Sequence, residues 1–163
     1  MGETALVSQR ATGGLKVWHD EIELRTTQRL EFIELTDRVA EVVRDSGVLH
    51  GMVNIQTKHT TAALVVGEHE PLLLEDLRKV LEKLAPSTAA YRHDDFTVRT
   101  VNLCPDEEKN GHSHCKALFL RTSETLNVVD GRMELGQWQR IFVIELDGAR
   151  VRRVSVTVLG AQA

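Results

Sequence analysis

Residues 139–159 read QRIFVIELDGARVRRVSVTVL, and this stretch sets the fold class. Gln139 to Leu146 and Val151 to Leu159 are rich in the β-branched and aromatic residues that strands favour, and the turn dipeptide Asp147-Gly148 lies between them. Just upstream, Leu126 to Val129 is followed by Asp130-Gly131, the same arrangement. The spacing predicts consecutive antiparallel strands through this third of the chain.

Working outward, Val17, His19, Glu21 and Glu23 alternate with Trp18, Ile22 and Leu24 as a strand that ends at Thr26-Thr27. Leu30 to Leu35 fits either a second strand or an early helical turn. Thr36 is placed to N-cap a helix over Asp37 to Asp45, with Val39, Val42 and Val43 on one stripe and Gly47 as the stop. Val48 to Thr57 and Ala62 to Val66 are strand material interrupted around His59. A second helix starts at Pro71, carries Leu73, Leu74, Leu77, Val80, Leu81 and Leu84, and should bury one face before Pro86 forbids continuation. Phe96 to Leu103 reads as another β-like run, Cys104 to Gly111 as a charged loop, and Asn110 as the cap of a short helix reaching about Leu120. An α+β domain over residues 16–163, preceded by a flexible segment over 1–15, is the expectation.

At 163 residues one sizeable core is affordable, and 42% hydrophobic with 27% charged residues is ordinary globular usage. A net charge of -4 offers no bulk attraction to polyanions, so nucleic acid is not an expected partner. No apolar stretch approaches the ~20 residues that span a bilayer, so no membrane partner is expected. With only Cys104 and Cys115 present, no disulfide is needed, and a cytoplasmic location follows as the expectation.

Seven histidines, His19, His50, His59, His69, His93, His112 and His114, are the residues best suited to metal or proton chemistry. Each alone is by default a surface or hydrogen-bonded residue. Context singles out His59, within Lys58-His59-Thr60-Thr61, where hydroxyls can orient the ring. It also singles out His93, beside Asp94 and Asp95, and the His112-Ser113-His114 segment. On a helix that H-x-H pair splays, and His114, on the side of Ala117 and Leu118, is expected to point inward while His112 lies nearer the polar face. Glu68 and Glu145, near strand ends, are candidate general bases. For Arg150 a phosphate grip and a solvated strand edge weigh evenly; Arg152 and Arg153 read as edge residues. Phosphate-binding glycine loops, H-E-x-x-H, C-x-x-C and G-x-S-x-G are all absent.

Taken in order, His59-Thr60-Thr61-Ala62, Glu68, Pro71, Asp76, Tyr91-Arg92-His93-Asp94, Ser113-His114, Leu135-Gly136-Gln137-Trp138-Gln139 and Asp147-Gly148-Ala149-Arg150 resemble the YjbQ-like family. The resemblance runs from about Trp18 onward. Arg121, Asn127 and Ala149 depart from it, where glycine, proline and proline are common. It implies β-sandwich-like mixed sheets with two main helices and one short helix, a homotrimer, and a divalent metal, zinc first, on His59, His93 and His114. It further implies that Glu68, Trp138 and Gln139 surround the same cleft, and it associates some members with a weak thiamine phosphate synthase activity. Three imidazoles with an open fourth position is the arrangement of a catalytic zinc. The expectation is a metal-dependent enzyme on a small phosphorylated substrate, with Glu68 catalytic and Arg150, Trp138 and Gln139 binding substrate. A non-catalytic trimeric metal-binding protein and a metal-dependent hydrolase are the alternatives.

Overall fold

The computed structural model describes residues 14–162. Most of the segment expected to be flexible lies outside the described residues, and Leu15 already opens a strand. The elements in chain order are β1 (Leu15–Arg25), β2 (Glu31–Glu34), α1 (Thr36–Ser46), β3 (His50–Thr57), β4 (Ala62–Glu68), α2 (Pro71–Leu84), a 3-10 turn (Arg92–Asp94), α3 (Gly111–Ala117), β5 (Ser123–Val129), β6 (Arg132–Met133), β7 (Gln139–Glu145) and β8 (Val151–Ala161). Two sheets form, in the orders β1-β8-β3-β5-β6 and β2-β7-β4, with antiparallel pairing throughout. This is the α+β, sandwich-like architecture that the resemblance implies.

The large sheet turns Ile22, Val53, Ile55, Val128, Val154, Val156 and Val158 toward Leu64, Ile141 and Val143 of the small sheet, and α1 adds Val39, Val42 and Val43 to the same core. Burying each such side chain contributes about 1.5–3 kcal/mol. β7 is buried on both faces: Ile141 and Val143 enter this core, while Ile144 joins Leu30, Ala63, Leu81 and Leu146 on the other side. That two-sided burial explains its unbroken apolar run.

Four expectations need correction. β7 and β8 are not a hairpin: each is the middle strand of a different sheet, and the 147–150 connection crosses between them. The reason is local, because Thr26 Oγ1 accepts from the Arg150 amide at 2.8 Å and its amide bonds Arg150 O at 2.9 Å, so β1's end captures the connection. Asp130-Gly131 does make a hairpin, with φ of 50° and 72°. Thr36 does not cap α1; its hydroxyl accepts from the Ile141 amide at 3.0 Å. Phe96 to Leu103 forms no strand and leaves Val98 and Val101 exposed.

The remaining correction concerns α2, which buries only Leu74 and Leu81 and leaves Leu73, Leu77, Val80 and Leu84 between 37% and 58% exposed. Its start is as expected, with Pro71 in the first turn, and the Glu70 carboxylate caps the amides of Leu72 and Leu73. Among the described residues no helix is long and apolar enough to cross a membrane.

Candidate functional site

Sheet geometry fixes where the predicted residues go. In the β4–β7 ladder Glu68 pairs with Gln139 at one end and Ala62 with Glu145 at the other. Six residue steps of ~3.4 Å put about 20 Å between those ends. Thr60, Thr61 and Asp147 follow the Ala62–Glu145 end, where α3 and the 3-10 turn also come to rest.

At that end lies an open cleft of about 1090 Å³, lined by Thr61, His93, Arg99, Asn110, His114, Asp147, Arg150 and Arg152 among others. His93, from the 3-10 turn, and His114, from α3, bring their ring centroids to 4.5 Å. Asp94 Oδ1 makes this meeting possible by accepting from the amides of Asn110 (3.0 Å) and Gly111 (2.8 Å). Gly111 is required there, since a Cβ would sit 2.6 Å from Tyr91 Cβ. Burial pushes the His114 imidazole down from its ordinary value, and the neighbouring His93 adds to the effect.

The charged loop is cemented by Arg99, which makes two bonds to Glu107, at 2.6 and 3.0 Å, and donates to His93 Nε2 at 3.1 Å and to Asn102 O at 2.6 Å. The Arg99 guanidinium holds the Glu107 carboxyl below the usual carboxylate range. Beneath the cleft, Arg152 makes two 2.6 Å bonds to the fully buried Glu145, which also accepts from Thr26 Oγ1 and the Asp147 amide. Glu145 is thus a structural anchor, and Arg152 is a core residue instead of a solvated edge. Arg150 pairs with Asp147 through Nε (3.1 Å) and Nη2 (2.5 Å).

The three-histidine seat is not assembled within one chain. His59 does not line the cleft: where β3 parts from β8, its Nε2 accepts from the Arg153 amide at 3.0 Å, in place of a further ladder bond. Burial also pushes this imidazole down. Among the described residues, no three His, Cys, Asp or Glu side chains come together in a metal-holding group.

Glu68 and Trp138 line a separate depression of about 360 Å³, with His69, Glu34, Pro71 and Arg140, at the far end of the ladder. In one chain Glu68 therefore cannot move a proton at the His93–His114 pair. Gln139 is engaged locally, its Oε1 accepting from the Gly136 amide at 2.8 Å. His69 is bonded through Nδ1 to Glu34.

His114 takes the site-facing side as expected, but His112, expected nearer the polar face, is buried. The His112 Nδ1 accepts from Lys116 Nζ at 3.2 Å. Lys116, fully buried, also donates to Ala85 O at 2.6 Å and lies 3.2 Å from Glu82. Ser113 Oγ donates to Leu146 O at 2.6 Å. The polar residues of α3 are satisfied inside, and Leu118 and Phe119, just past its end, are exposed.

Arg99 and the pairing of Glu145 with Arg152 escaped the sequence reading, which took Asn110 only as a cap, Asp147 as part of a turn and Glu145 as a candidate base. Arg99 sat inside an apparent strand. Glu145 and Arg152 carried a signal, since they occupy core-facing positions in the alternation of β7 and β8, where two opposite charges imply a pair.

The chain is similar to known proteins over most of its length. The family model described as "UPF0047 protein YjbQ-like" matches residues 20–161. A UPF0047 protein of Methanothermobacter thermautotrophicus is 38% identical over 146 residues, covering 90% of this chain and 94% of the relative. One from Archaeoglobus fulgidus is 40% identical, covering 85% and 99%. The crystal structure of a YbjQ-like protein of unknown function from Sulfolobus solfataricus superposes with a TM-score of 0.81 at 32% identity, covering 90% and 99%.

Proposed function

This chain belongs to the YjbQ-like UPF0047 family, and from that premise we propose that it is a metal-dependent enzyme acting on a small phosphorylated metabolite, by a condensation like that of thiamine phosphate synthases. The observation that carries the reading is the His93–His114 pair, with ring centroids 4.5 Å apart. Two imidazoles on one tetrahedral cation, each nitrogen ~2.1 Å from it, hold their ring centres about 5 Å apart, so the pair need open by only about half an ångström to share one. The residues therefore fit a shared divalent ion in part, zinc first, because neutral imidazole suits it and burial keeps His114 neutral. Arg99 must yield His93 Nε2 to a cation bound at that nitrogen. When bound, such an ion supplies neutralisation of the charge on a leaving diphosphate.

The chain's own residues bind and orient. Arg150 holds a terminal phosphate with the guanidinium N–H groups not engaged by Asp147, and the buried Arg152–Glu145 pair keeps the cleft floor rigid. Glu68 serves as the proton-handling group, and Trp138 and Gln139 flank the substrate, only where a second copy brings its far end to this cleft. A closed homotrimer in the cytoplasm is thus part of the proposal. Its support is the exposed apolar stripe of α2, which begins three residues after Glu68.

Metal analysis of untagged protein tests the reading. About one divalent ion per chain is expected, lost in His93→Ala and His114→Ala and retained in His59→Ala. Unchanged content in the first two variants sinks the seat. Turnover is then assayed with a pyrimidine diphosphate plus a thiazole phosphate, and separately with a panel of phosphate esters that exposes a hydrolase. A non-catalytic trimeric metal-binding protein is the second reading, favoured by one observation: Arg99 and Arg150 are already paired with Glu107 and Asp147. No turnover of either set by metal-loaded protein selects it.

A further inference from the structure

Asn110 occupies the N-cap of α3, yet its side chain caps nothing. An asparagine there ordinarily directs its carbonyl oxygen at the second or third amide of the helix. Here Asp94 instead takes the amides of Asn110 and Gly111. The Asn110 side chain turns to Asp147, its Nδ2 donating to Oδ2 at 3.3 Å. Its Oδ1 is left as the one buried side-chain polar atom without a partner among the described residues, in a residue only 7% exposed that lines the large cleft.

Exchanging the amide's oxygen and nitrogen would set two acceptors face to face against Asp147, so the orientation is fixed by chemistry. Every side-chain bond to Asp147 falls on Oδ2, from Arg150 Nε, Arg150 Nη2 and Asn110 Nδ2, which leaves its Oδ1 as a second acceptor on the residue bonded to Asn110, in the same cleft. A buried acceptor left unmade is costly, and in a native fold it marks a partner that arrives from outside.

We infer that Asn110 Oδ1 and the Asp147 carboxylate form a two-acceptor seat for hydroxyl groups of the ligand, so that the cleft takes a hydroxylated phosphate ester. The inference rests on the anion-binding reading of the same cleft. The donor is a neutral hydroxyl instead of an ammonium because Asp147 already has its counter-charge in Arg150, and Asn110 Oδ1 is itself uncharged. Two acceptors on neighbouring side chains match two hydroxyls of one ligand. The guanidiniums hold the phosphate at the other end of the molecule.

Calorimetric titration with glycerol 1-phosphate, n-propyl phosphate and inorganic phosphate tests this, and the first comparison needs no variant. The diol ester should bind at least about tenfold more tightly than the propyl ester, the worth of one or two hydrogen bonds to a charged or buried acceptor. In Asn110→Leu that ratio should collapse toward one while propyl phosphate still binds; leucine removes both the unpaired acceptor and the 3.3 Å bond to Asp147, and a melting temperature close to the wild type's shows that the fold is kept. Equal affinity of the two esters for the wild type, or an unchanged ratio in Asn110→Leu, overturns the seat. If no phosphate compound binds, erythritol at high concentration is followed by the Asn110 side-chain amide resonances. A shift there keeps the hydroxyl seat and rejects the phosphate end; no shift rejects the seat as well.

Discussion

The two ends of the β4–β7 ladder solve opposite problems. At the Ala62–Glu145 end the charges are drawn inside and joined: Glu145 to Arg152, Thr26 and the Asp147 amide, and Lys116 to Ala85, His112 and Glu82. At the Glu68–Gln139 end the charges stay near solvent. His69 meets Glu34 with its side chain 46% exposed, Trp138 is 62% exposed, and α2 starts nearby with its apolar stripe uncovered. Buried and satisfied polar groups make one arrangement rigid. The first end is therefore finished by buried bonds, whereas the second leaves both its charges and its apolar stripe at the surface.

The sharpest way to break this contrast is to remove one member of the buried pair. Arg152→Ala should cost about 3–5 kcal/mol in urea unfolding, because it strands the Glu145 carboxylate in the core. Glu34→Gln at the other end, which removes the partner of His69, should cost no more than about 1 kcal/mol. A replacement of both Glu145 and Arg152 by apolar residues of similar volume should recover most of the loss, and failure to do so would show that Thr26 and Asp147 depend on the carboxylate itself.

Next in size is Lys116→Met, which leaves Ala85 O unpaired and His112 Nδ1 with only the Ser113 hydroxyl, and should cost about 1–3 kcal/mol. Its removal also releases Glu82, whose carboxyl is brought to about 2 when the bonds from Ser87 and Lys116 outweigh the burial that would raise it. Because the folded value lies below the ordinary 4.5, stability from Glu82 is complete above that value and fades as pH falls toward 2. The acid limb of a thermal-melt series should accordingly flatten in Glu82→Gln.

The histidines of the finished end predict a milder dependence. Burial lowers His59, His112 and His114 from 6.5, so the unfolded chain binds protons first and stability declines as pH drops below 6.5. His112→Asn should reduce that slope; an identical slope would remove His112 from the account. Smallest of all, Glu68→Gln should change unfolding by less than about 0.5 kcal/mol. Leu77→Asp should likewise spare the fold of one chain while lowering the mass by light scattering, if α2 packs against another copy.

α1, β3 and β4 were readable because each buries the residues that its own spacing announces, and β1 and α2 were readable from their periodicity although most of their apolar residues stay exposed. α3 was not, because its inward face is polar: His112, Ser113 and Lys116 are buried, while Leu118 and Phe119 just after it are out. Its hydrophobic pattern points the wrong way, and only the partners Ala85 O and Leu146 O, distant in sequence, justify it. His93 and His114 were identified by residue type and by the resemblance. That His59 stands apart depended on a single backbone amide, that of Arg153, which no local pattern reveals.

β8 lies between β1 and β3 in the large sheet, pairing Ala161 with both Leu15 and His50. The strand that joins the two is thus the last of the described elements to be synthesised. During translation β1 and β3 have no neighbour to pair with across that gap, and their edges wait until nearly the whole of the described chain has left the ribosome. Such long sequence separations slow folding and lengthen the time that strand edges are exposed. Release of β8 is then the event that closes the sheet, and a nascent chain stalled short of residue 151 should be captured by chaperones while a longer one is not.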